Sequence, residues 1–462
     1  EWLGRDPTIL AGKTQVSGEL EFTGNARPTL SLRSALQGLA VSLPAPWGKA
    51  RDEERDFSLA LRLGAEESDL DLSLDNSLKA SLQIAAGDLV GGNLALESDW
   101  LQAVYSPSVS PPVLVDWLDL PGMRSALSAG HDFSGETDTA FARDYTAGIY
   151  RLLMQSPATE VQILDLRRDG VAGGHLAFRF ESDGRALYAR NIHGDILGLR
   201  SDIAVDGGSE LRWSAAGDGE FATALDIDLT FDDLAAVFRN LGYAPVLESR
   251  NGSAVGSLRW SGPPSVPDFE ELQGTLQLQA RDGRLLQSPG SGAAGALKVV
   301  TLLNLAELLQ GLSLSSMFES GIPFQRASSE MVFNRGQLRI PSLTLDGSAS
   351  AFQFSGTTNL AAIDGQLVVT LPVANNLPWV AALAAGLPVA AGVFVVSKVF
   401  EKQVERMSSG VYTVSGAVDA PRVRLKRIFD NTAKAPPRSV GNATGAAQDP
   451  AQEDDAGSRH QP

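Results

Sequence analysis

Apolar and polar residues alternate with a period of two through much of the chain, most clearly over residues 337–371. There Leu338 and Ile340 alternate with polar neighbours. A period of two is typical of a strand with one apolar and one polar face. Asp-Gly pairs at Asp346-Gly347 and Asp364-Gly365 favour hairpin turns between such runs. The pattern therefore predicts an up-and-down antiparallel meander with one apolar face.

The same alternation recurs over residues 14–100 and 161–280. Short turn signals separate the runs in the first of these stretches, at Gly24-Asn25, Gly64, Asp75-Asn76, Gly87-Asp88 and Gly91-Gly92. Residues 411–417 and 423–425 are predicted to be closing strands. We therefore predict a mainly β fold that is one long, one-sided sheet.

Helical spacing interrupts the strands at a few places. Phe141, Tyr145 and Ile149 lie four residues apart and predict a short helix. Residues 233–241 carry an apolar stripe at i, i+3, i+4 and i+7, with Asp232 or Asp233 available as N-cap. Two more short helices are predicted within 297–314. We expect these helices to pack on or in the apolar face of the sheet.

Residues 377–396 carry no charge for about twenty positions, which is close to the length of a membrane span. Two prolines interrupt the stretch, so a buried or re-entrant hairpin competes with a span. Downstream, apolar and basic residues line different faces of one predicted helix, as in helices that lie in a membrane interface. Ordinary packing is the alternative. The candidates for membrane contact are Leu377, Trp379, Val396, Lys398, Phe400, Lys402 and Arg406.

Charge and residue types exclude several functions. The formal net charge of -17 argues against a nucleic-acid partner, because phosphate binding needs clustered Lys and Arg. The chain has no Cys, so disulfides and thiolate chemistry are excluded. His131, His175, His193 and His460 lack a second ligand at metal spacing. Neither a nucleophile elbow nor a phosphate-binding loop is found. We therefore expect no enzyme activity, no metal and no cofactor.

The composition also suggests how the 462 residues divide. We expect a β-meander segment at 1–112, a loop and short-helix insertion at 113–158, and a second β-segment at 159–285. A C-terminal segment at 286–430 contains the apolar hairpin and helix of 377–407. Residues 431–462, rich in Ala, Pro, Gly, Gln and Asp, predict a disordered tail. Because the sequence begins at Glu1, we expect a piece of a longer protein.

The order of several motifs resembles a known family. Arg259-Trp-Ser-Gly-Pro-Pro264 precedes Leu272-Gln-Gly-Thr-Leu276, Asp282-Gly-Arg-Leu-Leu286 and Phe318-Glu-Ser-Gly-Ile-Pro-Phe324. Upstream, Leu36-Gln-Gly-Leu39, Leu43-Pro-Ala-Pro46 and Gly48-Lys49 are similar to another stretch of the same family. Residues 113–120 and 234–243 fit its short-helix pattern. Together these motifs resemble the YhdP branch of the AsmA-like superfamily.

This resemblance implies a bacterial envelope protein that projects into the periplasm. Members are anchored in the inner membrane by an N-terminal helix, and relatives form long curved β-sheets with an apolar groove. The branch is implicated in moving phospholipids from the inner to the outer membrane. The expected partners are thus phospholipids and, at the C-terminal end, a membrane. Here the resemblance favours a meander curled into an elongated groove.

A groove of this kind has a clear physical purpose. A phospholipid crossing water exposes about thirty methylenes, at a cost on the order of 20 kcal/mol. About two dozen strands spaced about 4.8 Å apart would extend a sheet to about 115 Å. The alternative is an envelope-biogenesis scaffold with a closed β core and no conduit. The candidate groove residues are Val16, Leu20, Phe22, Leu59, Leu61, Leu338, Ile340, Phe352, Phe354, Val369 and Leu371.

Overall fold

The fold follows from a computed structural model of the chain. The structure describes residues 10–428, except for 23, 25, 42, 130–144, 204–207, 218–219, 241–244, 246, 265–266, 268, 287–320, 349–350, 360, 371–408 and 419. The described residues form 24 strands and three helices. The predictions for 297–314, 377–407 and 431–462 lie outside them.

The strands follow the alternating runs of the sequence. They are β1 (Leu10–Gly12), β2 (Ser17–Glu21), β3 (Thr29–Ser34), β4 (Leu39–Val41), β5 (Phe57–Arg62), β6 (Glu67–Leu74), β7 (Leu78–Ala85), β8 (Asp88–Glu97), β9 (Leu101–Tyr105), β10 (Val113–Asp119), β11 (Thr159–Arg168), β12 (Val171–Ser182), β13 (Ala186–Ile196), β14 (Leu199–Ser201), β15 (Ser209–Gly217), β16 (Glu220–Phe231), β17 (Leu247–Ser261), β18 (Gln273–Leu285), β19 (Ile322–Asn334), β20 (Gln337–Asp346), β21 (Ala351–Thr358), β22 (Ala362–Thr370), β23 (Ser409–Ala417) and β24 (Ala420–Ile428). The helices are α1 (Leu120–Ala129), α2 (Tyr145–Met154) and α3 (Leu234–Asn240).

Twenty-two of the strands form one sheet, and β1 pairs with β4 apart from it. Each strand from β5 to β13 pairs with the next along the chain, and so does each from β15 to β23. The short β14 bridges β13 and β16 beside β15. In the described part, β2 pairs only with β3, and β24 only with β23, so the ladder is open at both ends. The predicted mainly β, antiparallel meander is confirmed.

One strand pair departs from the antiparallel pattern. Strands β10 and β11 are parallel, and a parallel pair needs a crossover connection, which here contains α1 and α2. The predicted loop and short-helix insertion at 113–158 is therefore wrong at its start, because Val113–Asp119 is a strand. Apolar and polar residues alternate only weakly in this strand, because side chains on its polar side are covered as well. On that side the Arg167 guanidinium lies over the Trp117 ring, 4.8 Å from its centroid.

Two predicted turns are also wrong. Gly91-Gly92 lies within β8, and Asp364-Gly365 lies within β22. A β-carbon at Gly92 would lie 2.2 Å from the carbonyl oxygen of Ser81 on the neighbouring strand. Gly92 thus allows a close backbone approach, with a positive φ of 111°, rather than a chain reversal. Asp346-Gly347, by contrast, ends β20 as predicted.

All three helices contact the apolar side of the sheet. In α1, Ala126 packs with Trp47 and Trp100, and in α2, Tyr150 packs with Trp213. Helix α3 confirms the helix predicted at 233–241, and the Asp233 carboxylate accepts a hydrogen bond from the Ala236 N–H at 2.9 Å as its N-cap. The largest core cluster combines α3 with the inward residues of β16–β23.

Candidate functional site

The strand register aligns apolar side chains into continuous rows across the sheet. Directly opposed residues on neighbouring strands point to the same face. One row runs Leu20, Leu30, Leu61, Leu70 and Leu82. A second runs Leu32, Leu59, Leu72, Ala80, Leu94, Tyr105, Val113, Val161 and Phe178. On the C-terminal strands a third runs Leu278, Ser329, Leu343, Phe354, Leu367 and Tyr412. We call this side of the sheet the apolar face.

The opposite face is polar and carries ion pairs. Arg62 Nη2 lies 2.6 Å from the Asp71 carboxylate, and the Ser81 hydroxyl donates to the same carboxylate at 2.7 Å. These contacts, with the Ser81 hydrogen bond first, lower the pKa of Asp71. A slip of one residue in register would turn Asp71 into the apolar face. The polar contacts and the leucine rows therefore select the same register.

Exposure of the apolar face changes along the sheet. At the β2 end, the candidates Val16, Leu20 and Phe22 are 49%, 51% and 74% exposed. Leu59 and Leu61, on β5, are half-buried. The apolar face is thus uncovered at β2 and partly covered at β5.

The C-terminal candidates lie in a packed interior. Leu338, Ile340, Phe352, Phe354 and Val369 are only 1–3% exposed and belong to one cluster. Leu371 and all seven membrane-contact candidates, from Leu377 to Arg406, lie outside the described residues. The structure therefore places the groove candidates in two different environments, one open and one closed.

The helices account for part of this difference. Ala126 of α1 belongs to the cluster with Trp47 and Trp100 that packs against Leu78 and Leu96 on β7 and β8, and Tyr150 of α2 clusters with Leu187 on β13. Within the described residues, no helix belongs to a core cluster with β2, β3, β5 or β6. We call the apolar face of these four strands the open stretch.

A loop between β3 and β5 closes one border of the open stretch. Trp47 and Trp100 pack edge to face with ring centroids 5.4 Å apart, and the indole N–H groups donate to the carbonyls of Ser77 and Ala45 at 2.9 Å. Lys49, only 2% exposed, donates to the carbonyls of Leu36, Leu39 and Ala50. Burial lowers the pKa of Lys49, and the nearby Glu53 opposes that shift.

Sequence reasoning missed this tryptophan and lysine arrangement. The motif around Lys49 was noted only as a family likeness. A Trp beside two prolines and a lysine in an otherwise apolar loop was the available signal. The partner Trp100 could not be assigned, because it lies 53 residues further along the chain, across four strands.

The packed C-terminal interior contains hydroxyl groups that lack partners. Ser329, Thr358 and Tyr412 are 2–6% exposed, and their hydroxyl oxygens have no hydrogen-bond partner among the described residues. Burial raises the pKa of Tyr412 to about 12. Each such group destabilises the fold by about 1–3 kcal/mol.

Other kinds of site are absent from the described part. No group of three or more His, Cys, Asp or Glu side chains there is placed to hold a metal ion. His175 and His193 lie on neighbouring strands, but their pairing partners are Asp195 and Ala177. None of the described helices has the length and apolar character needed to cross a membrane.

Comparison with known proteins decides the family. The family model described as YhdP protein matches residues 118–423, about two thirds of the chain. The chain belongs to the YhdP family. The family likeness found in the sequence is confirmed, and the match begins near the end of β10 and ends in β24.

A curated relative extends this result. The chain is similar to a protein of Escherichia coli (strain K12) named intermembrane phospholipid transporter YhdP, with 26% identity over 243 residues. The alignment covers 50% of this chain but only 19% of that relative. The chain thus spans about a fifth of the YhdP relative. No solved structure matches the chain. The open stretch, on β2, β3, β5 and β6, precedes the residues that the YhdP family model matches.

Proposed function

We propose that this chain is a segment of a bridge-like lipid-transfer protein, and that its apolar face shields the acyl chains of phospholipids. The observation that carries this proposal is the alignment of two apolar rows, one from Leu20 on β2 to Leu82 on β7 and one from Leu32 on β3 to Leu94 on β8, with part of that surface exposed. A phospholipid lying on these rows keeps its chains away from water while its headgroup remains hydrated. The YhdP relative, named as a phospholipid transporter, supports the same substrate class.

The energetic argument favours binding along a row rather than in a single pocket. Each methylene that leaves water contributes about 0.8 kcal/mol. Half-exposed leucines such as Leu59 and Leu61 also lose their remaining water contact when a chain covers them. Because equivalent leucines repeat on each strand, neighbouring positions along the sheet have similar affinity. Similar affinities let a lipid move without a large barrier and without a nucleotide site.

The intact protein would act in the bacterial envelope. We infer a non-catalytic periplasmic role between inner and outer membranes, with an N-terminal inner-membrane anchor in the full-length protein. Residues 377–407 are proposed to contact a membrane at the C-terminal end. Flotation with liposomes, with and without these residues, tests that contact, and equal flotation of both proteins contradicts it.

A photocrosslinking experiment tests the groove directly. A photoreactive residue at Leu59 or Leu72, which face each other on β5 and β6, should crosslink to phospholipid. Ala60 and Asp71 are the matched controls, because they oppose each other on the same strands, face the polar side and lie outside the polar pocket at the end of these strands. Equal crosslinking at both pairs, or none at Leu59 and Leu72, contradicts the groove.

A charge placed in the open stretch gives an independent test. Leu59→Asp should reduce co-purified phospholipid several-fold, while Ala60→Asp, on the polar side of the same strand, should not. Leu59 suits this test because it is half-buried. Phe352 and Phe354 do not, because a carboxylate in a side chain that is 2% exposed would unfold the interior.

A structural scaffold is the second candidate function. Its support is the packed interior of β16–β23, whose inward side chains contact one another. Native mass spectrometry of protein purified in mild detergent separates the two functions. Co-purified phospholipid favours transfer, and lipid-free protein favours the scaffold.

A further inference from the structure

A polar pocket borders the open stretch. Its volume is about 640 Å³, and it lies at one end of strands β2, β3, β5 and β6. Its lining includes Arg33, Ser58 and Ser73, which are neighbours in one row of the polar face. It also includes Ser34 and Phe57, which oppose each other in a row of the apolar face. Because residues of both faces contribute, the pocket lies at the rim of the sheet.

Three charged side chains line this pocket, and within the described residues one cation and one anion among them lack an ion-pair partner. Asp75 is already engaged, because it accepts hydrogen bonds from Arg55 Nη1 at 3.1 Å and from the Asp56 N–H at 2.8 Å. Neither the Arg33 guanidinium nor the Asp56 carboxylate forms a salt bridge within the described residues. Both side chains line the pocket and both residues are exposed.

Serine hydroxyls add neutral donors between these charges. The hydroxyls of Ser58 and Ser73 lie 2.7 Å apart, so one donates to the other and the second retains a free proton. The Ser17 hydroxyl already donates to the Arg33 carbonyl at 3.1 Å. Small serine side chains beside the long Arg33 leave the space that forms the pocket.

We propose that this rim pocket recognises the headgroup of a zwitterionic phospholipid. The phosphate contacts the Arg33 guanidinium and the free hydroxyl of the Ser58–Ser73 pair, and the ammonium group contacts the Asp56 carboxylate. The acyl chains then lie on the open stretch. This assignment rests on the proposed function, since the pocket supplies headgroup contacts and the apolar face supplies the chain contacts.

Charge complementarity selects this class over an anionic phospholipid. A headgroup without an amine leaves Asp56 without a partner and places its phosphate near a carboxylate. A zwitterionic headgroup matches both charges. A guanidinium also suits phosphate, because its N–H groups can bind two phosphate oxygens at once.

The test compares two lipids that share the same acyl chains. The full chain is incubated with vesicles of equal phosphatidylethanolamine and phosphatidylglycerol, and bound lipid is identified by native mass spectrometry. We expect at least a 5-fold preference for phosphatidylethanolamine. Asp56→Asn should remove that preference, and Arg33→Gln should reduce binding of both lipids about 5-fold. Arg62→Gln and Asp71→Asn, an ion pair of the same polar face outside the pocket, are matched controls and should change nothing.

Defined outcomes overturn this proposal. Equal loading of the two lipids by the unaltered protein contradicts it, and so does a preference that Asp56→Asn leaves intact. Soluble phosphoethanolamine that binds as tightly as the lipid overturns the assignment to a lipid headgroup. If lipid still crosslinks at Leu59 but the protein shows no headgroup preference, the rim pocket is refuted and the proposed function is not. Absence of bound lipid altogether refutes the proposed function.

Discussion

The ring of Phe354 lies over the backbone of Gly365 on the neighbouring strand. A β-carbon at Gly365 would be 2.8 Å from the ring atoms Cε2 and Cζ, and one at the opposed Gly356 would be 2.8 Å from Cζ. The same arrangement joins Gly252 to Phe231 and Gly283 to Phe324, each pair directly opposed. Phenyl rings over strand glycines thus recur on the apolar face, where each ring covers backbone that lacks a side chain.

Gly365→Ala should destabilise the C-terminal strands by about 1–3 kcal/mol, because the new methyl group overlaps the Phe354 ring. Thermal denaturation measures the loss. In a double-mutant cycle, the same substitution in a Phe354→Ala background should cost less, since the ring is then absent. A remaining cost is expected, because the β-carbon would also lie 2.6 Å from the Ser355 carbonyl oxygen. Equal costs in both backgrounds contradict the ring contact.

Two phenylalanines predicted to share one role should respond differently to truncation. Phe22→Ala should change the free energy of unfolding by no more than about 0.5 kcal/mol, because Phe22 is 74% exposed. Phe352→Ala should cost about 3–5 kcal/mol, because Phe352 is 2% exposed. Chemical denaturation of the two variants measures the contrast. Similar losses would show that the β2 end is covered in solution.

Alkaline pH should destabilise the protein through Tyr412. Its pKa is about 12 in the folded protein and near 10.0 in the unfolded chain. The folded state thus disfavours the tyrosinate, so the stabilisation is complete below pH 10 and is lost as pH rises toward 12. A shift of this size corresponds to about 2–3 kcal/mol. Hydrogen exchange of residues 410–416 at pH 8 and pH 11 measures the change.

Tyr412→Phe is the control for that experiment. It should reduce the alkaline loss and leave stability at pH 8 equal or slightly higher, because the buried hydroxyl has no partner among the described residues. An unchanged pH dependence in this variant would assign the alkaline loss to other groups.

Lys49→Met should loosen the loop between β3 and β5. The carbonyls of Leu36, Leu39 and Ala50 then lose their shared donor, at a cost of about 1–3 kcal/mol for a buried unsatisfied group. Faster hydrogen exchange over residues 36–50 is the expected result. Lys79→Met is the matched control, because Lys79 is exposed on β7. Equal exchange in both variants contradicts the role assigned to Lys49.

The strands were predictable because one face of the sheet is apolar and the other is polar. Runs such as Leu59 and Leu61, or Phe352 and Phe354, alternate cleanly, and their pairing follows from adjacent position in the chain. Val113–Asp119 was not predictable, since a strand covered on both sides loses its alternation. The turns predicted at Gly91 and Gly365 were wrong for a different reason. A glycine permits both a turn and a close approach between strands, and the sequence does not distinguish them.

The difference between open and covered stretches was not predictable. Leu20 and Leu338 occupy equivalent positions in their runs, yet one is 51% exposed and the other 1%. Exposure depends on which helix or loop packs over a strand, and that contact joins residues distant in sequence. The rim pocket escaped prediction likewise, because Arg33 and Asp56 approach each other only once β3 and β5 pair.

Most of the ladder joins strands that are consecutive in the chain. Contacts limited to neighbouring strands resemble those of repeat proteins, in which the total stability is approximately a sum of the stabilities of adjacent units. Short sequence separations between contacting residues also speed folding. Each hairpin can therefore form as soon as its second strand is available, without waiting for a distant partner. Damage to one hairpin should stay near it, so heating should melt the molecule in successive steps rather than in a single transition.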